Sequence, residues 1–141
     1  MFTIYIVEDD TITARTTTNY IQEYSDTNKH FIVSDFHVRT DNFETFIEDI
    51  PHISSRYNIY IIDIHLNASI NGIDIARKIR EFDFNGYIII FTTHVEFTSK
   101  VLSYNLKVIN YIQKSDDAYT LKLNSTLNTI VYEIGLIKDN T

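Results

Sequence analysis

The sequence has no cysteine and no tryptophan, and only one proline and three glycines in 141 residues. Without cysteine, neither a disulfide framework nor a thiolate metal centre can form, and the chain is compatible with a reducing compartment, so a cytoplasmic location is expected. The scarcity of glycine and proline, beside 44% hydrophobic and 13% aromatic residues, excludes a disordered or low-complexity chain. No apolar run approaches the eighteen or so residues of a membrane span. The start Met1-Phe2-Thr3-Ile4 has no basic segment and reaches acid at Glu8, so neither export nor membrane insertion is expected. Positive charge is also short: 12 Lys and Arg against 19 Asp and Glu leave a net charge of -7. Binding the phosphate backbone of nucleic acid depends on Lys and Arg releasing counterions, so this segment is not expected to bind DNA directly.

What is present is enough for one domain with its own core, and too little for two. Short β-branched runs alternate with longer mixed stretches. Phe2 to Val7, Phe31 to Phe36, Ile59 to Ile62, Tyr87 to Thr92 and Val108 to Ile112 read as strands. Ile59-Tyr60-Ile61-Ile62 and Tyr87-Ile88-Ile89-Ile90-Phe91 are apolar throughout, as parallel strands buried on both faces require. Helices are expected over Thr11 to Tyr24, Asp41 to Ile50, Ile73 to Phe82, a short stretch near Phe97 to Tyr104, and Ala118 to Ile137. In the last, Leu123, Leu127, Ile130, Ile134 and Ile137 step by three and four along one face. In the first, Thr16, Thr17 and Thr18 are poor helix formers, and Ile12, Ile21 and Tyr24 are the expected core contacts. Asn71-Gly72 and Asn85-Gly86 mark turns, and Pro51 is expected to close the second helix. The pattern is (βα)5: an α/β fold with a doubly wound, five-stranded parallel sheet.

In such a sheet the residues just after each strand converge at the carboxyl edge. Here those are Glu8, Asp9 and Asp10 after the first strand, Asp63 after the third, Thr92 and Thr93 at the end of the fourth, and Lys114 after the fifth. Two carboxylates about 4 Å apart repel by roughly 4 kcal/mol at an effective dielectric near 20, so the cluster calls for a compensating cation. A divalent ion with oxygen ligands, magnesium above all, suits that donor set, and Lys114 adds a second positive charge. With charge so offset, Asp63 can act as a nucleophile toward a phosphoryl donor, and Thr92 can hydrogen-bond the group once it arrives. Asp10 is expected to cap the first helix, and no catalytic role falls on the side chains of His65 or His94.

Glu8-Asp9, Asp63 within Ile61-Ile62-Asp63-Ile64-His65-Leu66, Asn71-Gly72, Thr92, and Lys114 after Tyr111-Ile112-Gln113 occur in the order found in response regulator receiver domains. The chain resembles that family over nearly its whole length, with the flavodoxin-like, CheY-like fold this implies. The resemblance implies that Asp63 is the phosphoacceptor, Asp9 a direct magnesium ligand, and Glu8 a ligand mostly through water. It implies that the backbone carbonyl of His65 completes the protein's share of coordination and that Lys114 pairs with the acyl phosphate. Thr92 and Tyr111 resemble the switch pair, in which the hydroxyl moves toward the phosphoryl group and the ring turns inward behind it. Gly72, nine residues after Asp63, and the segment Phe91-Thr92-Thr93-His94 are similar to the accessory gene regulator (AgrA) group. Members of that group carry a LytTR DNA-binding domain after the receiver. One departure is Ser115, which stands where many receivers have a cis-proline. A cis bond before a residue other than proline costs about 2.5–4 kcal/mol, which favours a trans Lys114–Ser115 peptide.

The resemblance implies a sensor histidine kinase as partner, dimerisation on phosphorylation, and transcription regulation through an output domain outside this segment. It implies no enzymatic turnover beyond self-phosphorylation and autodephosphorylation. Three other readings remain at this stage. A non-phosphorylated pseudo-receiver would need the fold alone. A haloacid-dehalogenase-like phosphatase would place a second Asp two residues after its nucleophile, where this chain has His65. A flavodoxin-like flavin protein would need a Ser/Thr/Gly-rich phosphate loop after the first strand, which is missing.

Overall fold

The computed structural model describes residues 1–53, 57–66, 68–93, 105–114 and 118–139. Five parallel strands form one sheet in the order β2-β1-β3-β4-β5: β1 Phe2–Val7, β2 Val33–Arg39, β3 Asn58–Asp63, β4 Tyr87–Thr92 and β5 Val108–Gln113. Strands β1 and β3 are buried along their whole length and β4 almost so, which is why they read as unbroken apolar runs. Alternate residues of each strand feed opposite layers. Tyr5, Val7, Tyr60, Ile62, Ile88 and Ile90 pack with helices α2 (Phe43–Asp49) and α3 (Gly72–Phe82). Ile4, Ile6, Ile59, Ile61, Ile89 and Ile112 pack with α1 (Thr11–Thr27) and α4 (Tyr119–Asp139). Each fully buried isoleucine contributes about 1.5–3 kcal/mol, so the two layers leave little doubt about register.

Leu123, Leu127, Ile130 and Ile134 face the core, as their spacing requires; the side chain of Ile137 lies outside the described residues. Helix α3 begins with a capping box. The Asn71 side chain accepts from the Asp74 amide at 3.0 Å, and the Asn71 amide donates to the Asp74 carboxylate at 3.2 Å.

Three expectations need correcting. Strand β2 runs Val33–Arg39, not Phe31 to Phe36. Phe31 is buried in the preceding turn, stacked on Phe2 at 4.6 Å, while pairing with β1 carries the strand on through polar His37 and Arg39. Ile12 is 73% exposed and takes no part in the core. The Asp10 side chain caps the Ile12 amide at 3.1 Å, starting the helix at Thr11, and this phases Ala14, Thr17, Ile21 and Tyr24 inward. The threonines are accommodated because Thr16 and Thr18 donate to the carbonyls of Ile12 and Ala14, four residues back. Pro51 does not end α2 directly. That helix stops at Asp49, and Pro51 lies within a following 3-10 turn, Ile50–His52. The helix expected near Phe97 to Tyr104 falls outside the described residues. No helix among the described residues is long and apolar enough to cross a membrane.

Candidate functional site

The strand order reverses between β1 and β3, so the crevice of this sheet opens beyond their carboxyl ends. Each acid there is set by backbone pairing. The Glu8 amide donates to the Arg39 carbonyl at 3.0 Å, carrying the β1–β2 ladder one residue past Val7 and fixing where Glu8 leaves the sheet. The Glu8 carboxylate then accepts from the Asp10 amide at 3.2 Å. Asp63 is the last residue of β3, in register with Phe91 of β4.

The chain after Asp63 folds back on the strand it has just left. Ile64 donates to the Phe91 carbonyl at 3.3 Å, the Gly72 amide donates to the Ile64 carbonyl at 2.9 Å, and the His65 amide donates to the Asp63 carboxylate at 3.2 Å. Gly72 opens α3 directly against this turn. A Cβ there would lie 2.0 Å from the Asp63 carbonyl oxygen, so no residue with a side chain fits without displacing the backbone that carries Asp63.

On the other side, Lys114 follows β5, and its amide donates to the Thr92 carbonyl at 2.9 Å. Its ammonium lies 2.6 and 2.8 Å from the two Glu8 carboxylate oxygens and 3.0 Å from an Asp63 oxygen. Glu8 and Asp63 are only 2% and 3% exposed. Asp9 is half-buried, and one carboxylate oxygen from each of Glu8, Asp9 and Asp63 can be chosen so that all three lie within 4.8 Å of one another.

Burial pushes the Glu8 carboxyl up to about 7; the Lys114 hydrogen bond opposes that rise and the Asp63 charge adds to it. Burial likewise raises Asp63, against the pull of Lys114. Burial also works against the Lys114 charge, but the hydrogen bonds and attraction of Glu8 and Asp63 outweigh it and hold the ammonium above its ordinary range. The site therefore has an acidic cluster with Lys114 as a half-buried countercharge. It offers an oxygen donor set suited to a hard divalent cation and a carboxylate at the tip of a central strand.

Of the residues singled out in the sequence, Glu8, Asp9, Asp63 and Lys114 meet at one edge. Thr92 is buried at the end of β4, tied to Lys114 through the backbone. His65 is exposed, with its amide turned to Asp63. Tyr111 is half-buried against the layer formed with α3, and burial raises its hydroxyl pKa. His94 and Ser115, and with Ser115 the Lys114–Ser115 peptide, lie outside the described residues. The close approach of Gly72 to Asp63 was not foreseen from the sequence. The turn signal Asn71-Gly72 was the available clue, but it does not tell which backbone the glycine will meet.

A family model described as the response regulator receiver domain matches residues 4–124. The chain belongs to this family, which receives signals in two-component systems and is not a conventional enzyme. Among curated proteins it is 32% identical to accessory gene regulator protein A of Staphylococcus aureus strain N315 over 104 residues, 72% of this chain and 43% of that protein. To accessory gene regulator protein A of Staphylococcus epidermidis it is 41% identical over 64 residues, 45% of this chain and 26% of that one. The chain thus spans less than half the length of these relatives, and it is akin to their group only at a distance.

Its fold is shared with many solved structures, two of which serve as examples. The response regulator TrrA of Thermotoga maritima, in complex with Mg(2+)-BeF, has a TM-score of 0.65 at 22% identity, covering 89% of this chain and 96% of that one. The N-terminal domain of a response regulator/sensory box/GGDEF protein from Carboxydothermus hydrogenoformans has a TM-score of 0.71 at 20% identity, covering 95% and 98%.

Proposed function

We propose that Asp63 accepts a phosphoryl group from the phosphohistidine of a sensor histidine kinase, making this chain the phosphorylation switch of a two-component system. The observation that carries this is the Glu8, Asp9 and Asp63 cluster with Lys114 bridging Glu8 and Asp63. The donor set fits magnesium: three carboxylates that can offer oxygens within 4.8 Å of one another, none of them a soft ligand. Glu8, Asp9, Asp63 and the backbone carbonyl of His65 would hold it. When bound, magnesium offsets negative charge on the phosphoryl oxygens during transfer.

The remaining steps belong to side chains of this protein. An Asp63 carboxylate oxygen attacks phosphorus; the new P–O bond forms as the P–N bond breaks, and its electron pair leaves on the imidazole of the kinase. Asp63 is held for this by the His65 amide and by the Gly72 backbone packed beneath it. The Lys114 ammonium moves its attraction from the Asp63 carboxylate to the acyl phosphate. The Thr92 hydroxyl donates to a phosphoryl oxygen, and Tyr111 fills the space behind it. This changes the surface around β5 and α4, and with it dimerisation. Moving such an equilibrium from about 1:99 to 99:1 takes about 5.5 kcal/mol, which contacts from a doubly charged group can supply in large part. In this reading the chain is the cytoplasmic receiver, residues 1–141, of a transcription regulator whose LytTR-type DNA-binding domain follows it.

Intact mass after incubation with acetyl phosphate tests the reading. A magnesium-dependent gain of about 80 Da that Asp63→Asn lacks is the expected result. No gain, from acetyl phosphate or from the cognate kinase, would overturn it in favour of a non-phosphorylated interaction module.

A further inference from the structure

Strand β2 ends the sheet. It pairs on one side with β1, and among the described residues no strand covers its other side. Ser34, Asp35, His37 and Val38 are exposed, Val38 to 42%. The Arg39 carbonyl accepts from Glu8, so Arg39 turns its backbone groups toward β1. The register has no shift from Asp35 to Arg39, so the two-residue alternation of a strand turns Asp35 and His37 the same way and leaves those of Phe36 and Val38 pointing outward.

We propose that this edge is a self-association surface: a second copy of the chain pairs with it antiparallel, about a two-fold axis at His37, and the two sheets become one. Two requirements select this register. Outward-facing backbones must meet each other, which requires the axis to pass through a residue and not between two, and leaves Phe36, His37 and Val38 as central choices. Side chains must also match. With the axis at His37, Phe36 lies opposite Val38 in two hydrogen-bonded pairs. Asp35 lies opposite Arg39 in two non-hydrogen-bonded pairs, where side chains come closest. With the axis at Val38, Asp35 would face Asp41 and His37 would face Arg39. With the axis at Phe36, Phe36 would face itself and Asp35 would face His37, which carries charge only when protonated, while Arg39 would face Val33. Of the three, the His37 axis alone sets two groups of opposite charge at neutral pH, Asp35 and Arg39, across from one another while also pairing apolar Phe36 with Val38.

Asp35 and Arg39 also have partners on their own chain, His37 at 2.9 Å and Asp49 at 2.8 Å. A carboxylate and a guanidinium each have several hydrogen-bonding sites and accept a second partner. Because β2 and β5 are opposite edges of the sheet, this contact is separate from the surface that phosphorylation is proposed to alter. It therefore does not depend on Asp63.

Sedimentation velocity over a concentration series tests it. The unphosphorylated chain and Asp63→Asn should dimerise alike. Asp35→Arg or Arg39→Asp alone should weaken association about tenfold or more, because each sets like charges opposite one another twice, and the double variant should restore it. Any intrachain cost of Arg39→Asp beside Asp49 is common to the single and double variants, so restoration reports the contact between copies. Val38→Pro removes an outward donor while sparing the ladder to β1, and should leave a folded monomer by circular dichroism. A chain monomeric at all concentrations, a double variant no better than the singles, dimerisation lost in Asp63→Asn, or a Val38→Pro variant that still dimerises would each overturn the proposal.

Discussion

Replacing Lys114 by methionine keeps most of the side chain's volume and removes its charge. The ammonium has contacts of 2.6, 2.8 and 3.0 Å to two carboxylates that are almost wholly buried. At pH 8, above the value near 7 to which burial lifts Glu8 with Lys114 beside it, Glu8 is ionised in the wild-type chain, and the variant leaves it next to Asp63 without that counterion. Removing one partner of a buried ion pair costs about 3–5 kcal/mol. Lys114 keeps 16% of its side chain exposed, and Glu8 can relieve the repulsion by taking up a proton, so the loss belongs at the lower end, about 3 kcal/mol. A divalent cation supplies the missing charge at the same place. In the wild-type chain it must share Glu8 and Asp63 with the ammonium, whereas in the variant it has no competitor. Binding at a concentration 100 times its dissociation constant stabilises by about 2.7 kcal/mol, enough to close most of the gap. Urea unfolding at pH 8, with chelator and then with millimolar magnesium, measures both quantities. The expected result is a variant about 3 kcal/mol less stable in chelator and nearly equal to wild type in magnesium. Equal stability in chelator, or a gap that magnesium leaves untouched, would refute the reasoning.

Gly72→Ala forces a methyl to within 2.0 Å of the Asp63 carbonyl, so it should cost about 3 kcal/mol or more in urea unfolding and also slow phosphorylation by displacing Asp63. Arg80 donates to the carbonyls of Asp83, Phe84, Gly86, Leu106 and Lys107, tying the end of α3 to the turns that enter β4 and β5. Arg80→Met should lower stability by roughly 3 kcal/mol while Asp63 remains phosphorylatable, measured by unfolding and intact mass on one sample. Burial first, and then Glu133, pushes the Tyr87 hydroxyl up to about 12; burial and the Asp83 hydrogen bond raise Tyr60 further. A hydroxyl whose pKa is higher folded than unfolded contributes stability that is present below about pH 10 and lost as pH rises through the folded value. Absorbance at the tyrosinate band should therefore show these hydroxyls ionising only together with unfolding above pH 10, and early titration of the full tyrosine complement in a folded chain would contradict this.

The parts of this fold that were legible in the sequence are those where burial alone decides. Strands β1, β3 and β4 lie inside the sheet with both faces covered, so every position selects an apolar side chain and the run marks its own ends. The polar residue that breaks each run then falls at the carboxyl edge by geometry, which is why Glu8, Asp63 and Thr92 could be placed together from strand ends alone. Strand β2 is different because it is an edge. Its limits follow from the backbone ladder to β1, which runs from Val33 to Arg39 regardless of side-chain polarity, and a reader of hydropathy stops too soon at Phe36. Ile12 misleads for a related reason. Its hydrophobicity suggests the core, but the Asp10 cap fixes the phase of α1, and one residue's difference in phase turns a side chain by about 100°.

Arg80 and Gly72 were illegible for a third reason. Both act on backbone atoms supplied by distant segments: Arg80 on carbonyls up to 27 residues away, Gly72 on the carbonyl of Asp63. Carbonyls are present at every residue and leave no trace in the sequence, so a side chain that binds them looks like any surface arginine. A carboxylate cluster instead draws on side chains, and those are written out. The acidic site was therefore readable from strand ends, whereas the groups that hold it in place appear only once the chain is folded.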